Sequence, residues 1–102
     1  MTKLAERAAD AVARAEAANM AAARAVGAIV GLSFHARMRA ADAAITTSRF
    51  AQDARNWATY TAQHEEWCDL EAASWGAGYA EDAARGAVKW SRITVELAET
   101  EG

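Results

Sequence analysis

The stretch LAERAADAVARAEAANMAAARAVGAIVGL, Leu4 to Leu32, decides the fold class. Leu4, Ala8, Ala11, Ala15, Ala18, Ala22, Ala25, Ile29 and Leu32 recur at alternating steps of four and three without a polar interruption. That spacing lines one face of an α-helix with a packing seam. Thr2 supplies an N-cap, and Lys3, Arg7, Asp10 and Arg14 repeat on another face, with Asp10 and Arg14 as an i,i+4 pair. A seam made mostly of alanine buries little area per residue but lets two backbones approach closely, so this helix needs a partner along its whole length.

Length is the next constraint. Some thirty residues at a rise of 1.5 Å reach about 45 Å, whereas a compact domain of about 100 residues has a radius of gyration near 13 Å. The molecule is therefore elongated, or the helix is broken. Gly27 and Gly31, with Ser33 as a new cap, mark the break. Beyond it, Phe34, Met38, Ala41 and Ile45 form a short apolar stripe, and Ile45–Ser48 (ITTS) reads as a turn whose Thr47 or Ser48 caps a third helix from Arg49 to Ser74. The glycines of WGAGY, Trp75 to Tyr79, bend or end that helix. A last helix sets Tyr79, Ala83, Gly86, Trp90, Ile93 and Leu97 on one face, with Glu81–Arg85 and Arg92–Glu96 as exposed pairs. The alternation over residues 93–97 is also a strand pattern. FAQDA (Phe50–Ala54) and YAEDA (Tyr79–Ala83) match in kind at every position, which as a repeat implies stacked helical hairpins. The expected fold is all-α: an antiparallel helical bundle of about four helices, elongated, forming a single helical domain over residues 1–102.

Composition agrees. The chain of 102 residues holds thirty alanines and no proline, the best and worst helix formers. Its formal net charge of -3 argues against a protein that coats nucleic acid. The charge is unevenly spread: Met1–Asn56 carries eight Lys/Arg against five Asp/Glu, and Trp57 onward carries three against nine. Such asymmetry suits head-to-tail or antiparallel self-association, or a partner with a basic patch. A single cysteine rules out an intramolecular disulfide and suits a reducing compartment. The N-terminus lacks the apolar core of a signal peptide, and the longest strongly apolar run, AVGAIVGLSF, is too short to span a bilayer. The expected location is the cytoplasm, away from membranes.

The stretch densest in chemical groups is HEEWCDLE, His64 to Glu71. On a continuous helix, Phe50, Trp57, His64, Cys68 and Trp75 share a face with Tyr60 and Trp67 beside them, while Glu65, Glu66 and Asp69 point away. A zinc site would draw on His64, Cys68 and Glu71, yet three or four converging ligands are needed, and the other histidine, His35, lies in another helix. A thiol in a helix interior has no N-terminal dipole to activate it. No metal, cofactor or catalytic residue is therefore expected, and His64 and Cys68 are expected to pack among tryptophans in the core. Some aromatic residues beside carboxylates remain as binding anchors. The candidate partner-binding residues are Trp57, Tyr60, Glu65, Glu66, Trp67, Asp69 and Trp75.

A second class of function rests on RAADAAITTSRFAQDAR, Arg39 to Arg55, which resembles a helix-turn-helix. The resemblance implies a DNA-binding regulator presenting Arg37, Arg39, Arg49 and Arg55 to a duplex. Asp53 sits where that motif wants an apolar residue, and the net charge is of the wrong sign. The sequence thus favours a non-enzymatic helical module that scaffolds, occludes or inhibits a partner protein and self-associates. Inhibitors carried by phages or mobile elements, including the anti-CRISPR type that blocks a host defence complex, are one such class.

Overall fold

A computed structural model describes residues 3–28 and 33–100. They form three α-helices: α1 Lys3–Gly27, α2 Phe34–Glu66 and α3 Leu70–Thr100. Ser33 caps α2, its Oγ accepting from the Ala36 N–H at 3.2 Å. The Leu4 N–H at the start of α1 donates to Glu65 Oε2 at the end of α2, and Arg55 pairs with Glu16 at 2.8 Å, so these helices run antiparallel. A three-residue turn folds α3 back along α2. The result is a rod of 54 × 16 × 14 Å with a radius of gyration of 15.8 Å.

The alanine seam packs within the chain. Ala8, Ala11, Ala15 and Ala18 meet Ala51 and Ala54 of α2 and Ala80, Ala83, Ala84 and Ala87 of α3 in one cluster. Thr2, Ile29, Gly31 and Leu32, to which the sequence assigns a cap, a break and the end of the seam, lie outside the described residues. Among the described residues every buried hydrophobic side chain is alanine, and the largest fully buried side chains are Thr47, Thr61 and Thr94. Each threonine hydroxyl donates to the carbonyl four residues back, on Ala43, Trp57 and Trp90. The polar atom is thereby satisfied within its own helix.

Several expectations are corrected. There are three helices instead of about four, because Ile45–Ser48 is no turn: α2 has neither glycine nor proline in its 33 residues. The hydroxyls of Thr46 and Thr47 bond back to Asp42 and Ala43 instead of capping a new helix. The two-helix crossing implied for Arg39–Arg55 is accordingly absent, since the whole segment lies in α2. Nor does the predicted helix Arg49–Ser74 exist; the chain turns at Trp67–Asp69, inside HEEWCDLE, and WGAGY sits within α3. Residues 93–97 are helix, because their alternation is outweighed by buried Ala87, Ser91 and Thr94 at helical spacing.

Two glycines of α3 have a packing reason. A Cβ at Gly76 would collide with Thr61 Oγ1 and lie 2.8 Å from Tyr60 Cδ1, and one at Gly86 would lie 2.6 Å from the Phe50 ring. Gly78, between them, faces open space. In denaturant melts, Gly76→Ala is therefore expected to destabilise by roughly 1–3 kcal/mol through overpacking. Gly78→Ala is expected to stabilise by up to about 1 kcal/mol, the difference in helix propensity.

Arg7 of α1 ties to α3 through a 2.6 Å bond to Glu81. The hydrogen bond from Arg7 holds the Glu81 carboxyl below its usual range, and the same bond pushes the Arg7 guanidinium further up. Ionised Glu81 hence stabilises the fold above the ordinary carboxylate range, and that contribution is lost as the pH falls through its lowered value. With the Arg7 side chain 44 % exposed, screening limits the pair to roughly 0.5 kcal/mol. Glu81→Gln is expected to show that deficit in melts at neutral pH and to lose it in acid, once the pH has fallen through the lowered value and wild-type Glu81 is itself protonated.

Candidate partner-binding surface

The turn between α2 and α3 builds the surface. The Asp69 N–H reaches the His64 carbonyl and the Cys68 N–H the Glu65 carbonyl, while Cys68 takes a left-handed φ of 62°. This is the Schellman closure, with Trp67 as its C-cap and cysteine where glycine is preferred. Asp69 then begins α3, its Oδ1 accepting from the Ala72 N–H at 3.2 Å. One residue both ends a helix and starts the next, so the turn has little freedom.

A continuous column of rings leads up to this turn. Tyr79 of α3 lies 4.7 Å from Trp57 of α2, Trp57 lies 5.3 Å from Tyr60, Tyr60 is 4.1 Å from His64, and His64 is 5.2 Å from Trp67. Aromatic pairs of this kind contribute about 0.5–1.5 kcal/mol each beyond the area they bury. The column is half-buried along α2 but open at its ends: Trp67 is 61 % exposed, Leu70 62 % and Tyr79 52 %. Trp75, one turn before Tyr79 on α3, is also exposed.

Several sequence-derived roles change. Cys68 is exposed instead of buried, because it occupies the turn and not a helix face. His64 stays half-buried between Tyr60 and Trp67; its Nδ1 makes no hydrogen bond and lies 3.6 Å from Asp69 Oδ2. Trp75 no longer shares a face with Trp57, since they stand on different helices. The expected aromatic core is replaced by an alanine core, with the rings at its margin. Glu65 caps the start of α1 and Asp69 caps α3, so both have structural duties, while Glu66 is exposed. Among the described residues no three His, Cys, Asp or Glu side chains converge as a metal site requires. Leu70 and Tyr79 are surface residues that sequence reasoning missed. Asp69 followed by Glu71, a capping residue with a carboxylate in the first turn, was the signal for a helix start that would have exposed Leu70.

The four arginines assigned to a duplex do not gather into one patch. Arg55 is engaged by Glu16 and Gln52 near the middle of the rod, whereas Arg37, beside Val26, Phe34 and Met38, borders an apolar hollow near the start of α2. Arg39 and Arg49 are exposed on α2. From Asn56 to Ala84 the chain holds no Lys or Arg but includes Glu65, Glu66, Asp69, Glu71, Glu81 and Asp82. Folded as a hairpin, this segment makes one end of the rod aromatic and mainly acidic, with Lys3 and Arg7 of α1 beside it and Arg7 paired to Glu81. The chain matches no known family, curated protein or solved structure. No helix among the described residues is long and apolar enough to cross a membrane.

The exposure of Cys68 is directly measurable. Native protein is expected to react with a thiol reagent at nearly the rate of the unfolded chain. Cys68→Gly is expected to raise stability by about 1 kcal/mol in denaturant melts, relieving the left-handed conformation.

Proposed function

We propose that this protein is a non-enzymatic helical module that binds another protein through the aromatic, acidic end of the α2–α3 hairpin and thereby occludes or inhibits it. The observation that carries this reading is Trp67 and Leu70, both largely exposed, standing at the end of a packed ring column in a segment without a single Lys or Arg. An exposed apolar cluster rimmed by polar groups marks an interaction surface. Tryptophan and tyrosine supply most of the energy at such surfaces. The complementary partner presents Lys or Arg around an apolar pocket. The column fixes the rings before binding, so little conformational entropy is lost on association. Cytoplasmic action suits the exposed thiol, which persists in a reducing compartment.

The test is capture of partners from a bacterial lysate on the immobilised 102-residue chain, followed by native mass spectrometry. A stoichiometric protein is expected, with its affinity reduced about tenfold or more by Trp67→Ala. Glu66→Lys is expected to slow its association, and helicity by circular dichroism is expected to be unchanged in both variants. No captured protein, or capture indifferent to Trp67, would defeat the reading.

A further inference from the structure

One face of α3 looks away from both other helices. Glu71, Trp75, Gly78, Asp82, Arg85 and Lys89 follow it at steps of four and three, all exposed except half-buried Gly78. The face is acidic and aromatic in its first half and basic in its second. Arg14 of α1 adds to the basic part, lining with Arg85 and Lys89 a shallow groove over Ala84 and Val88. Gly78 has no packing reason within the chain, since a Cβ there would meet nothing within 4 Å. A glycine inside an exposed helix is unfavourable relative to alanine, which calls for a close approach from outside.

We propose that this face pairs with the same face of a second copy, antiparallel, about a twofold axis near residue 80. Glu71 then meets the second copy's Lys89, Trp75 meets its Arg85, and Asp82 crosses over its Gly78, each contact occurring twice by symmetry. Gly78 lets the two helix backbones come close at the crossing, and the Arg85 guanidinium lies over an indole face. Arg85 also holds Asp82 of its own helix, which leaves further guanidinium N–H groups for the second copy. The charge order selects this register. A shift by one heptad sets Glu71 against the second copy's Asp82 in one direction, and in the other exchanges Glu71–Lys89 for Glu71 against Glu96, offset only by Asp82 against Arg85; parallel pairing sets every charge against its like. Both alternatives are disfavoured by repulsion. A seam this charged makes the association sensitive to salt. The proposal does not depend on the Trp67 surface, which lies on the turn.

Sedimentation velocity of the 102-residue chain at low ionic strength, about 20 mM, where screening is weak, decides it. A reversible dimer is expected, weakened about tenfold or more by Glu71→Lys or Lys89→Glu alone and restored when both are present. Gly78→Leu is expected to abolish it while the monomer keeps its helicity, because the position is open within the chain. Trp67→Ala is expected to leave the dimer intact. A chain that is monomeric at every concentration, a dimer indifferent to either charge reversal, or a loss that the double reversal does not restore would each overturn the proposal.

Discussion

Contact between alanine faces is the constraint on which the rest of this structure depends. With only a methyl group projecting from each buried hydrophobic position, the helices pack with their backbones close together. That spacing leaves no room for a leucine or a tryptophan between the axes. Each alanine buries little apolar area, so stability has to come from the number of contacts and therefore from helix length. A rod of 54 Å is the geometric outcome. Threonine is the largest side chain the interior accepts, and each buried one returns its hydroxyl to its own helix.

The same constraint pushes large side chains outward. Phe50, Trp57 and Tyr60 pack along the margin of the core, where Gly76 and Gly86 of α3 give ground to Tyr60 and Phe50. Met20, Phe34, Met38, Ile45, Trp67, Leu70 and Trp75 are left largely in solvent. A protein with small residues inside and large ones outside differs from the usual distribution, in which aliphatic and aromatic side chains are the more buried. Its aromatic content is thus available for recognition. The sequence shows the aromatic load, but only the width of the core shows which side of the surface it occupies.

The first helix and the all-helical class were legible because four-three periodicity, alanine content and the absence of proline point the same way. Ser33 was legible as a cap for the same reason, a small polar residue ahead of an apolar stripe. The interior breaks were not. Thr46, Thr47 and Ser48 have the composition of a turn, yet local hydrogen bonds to preceding carbonyls reconcile the threonines with a helix whose face is buried on two sides. Conversely, the true turn holds no glycine: Cys68 adopts the left-handed conformation because the closure from His64 to Asp69 and the cap on α3 overdetermine it. Gly76, which looked like punctuation, is a recess for Thr61 and Tyr60 of α2, a tertiary fact with no local signature. For the candidate site, the stretch from Trp57 to Trp75 was identified as a region, but Glu65 and Asp69 could not be recognised as caps until the turn was placed.

The turn also explains why the candidate surface suits recognition. A three-residue connection fixes Trp67 and Leu70 on either side of Asp69, and Glu65, two residues before Trp67, is held by the first turn of α1. All three helices therefore constrain a short segment whose indole stands free. Hairpin topology then converts a difference along the sequence into one along the rod. The cation-free run from Asn56 to Ala84 doubles back on itself, while Arg24, Arg37 and Arg39 are carried to the opposite end. An extended molecule keeps such charges far apart relative to a screening length of about 8 Å. The two ends therefore act on approaching molecules independently. A globular core of the same composition, with a wider spacing and bulkier filling, would have folded the rings inward.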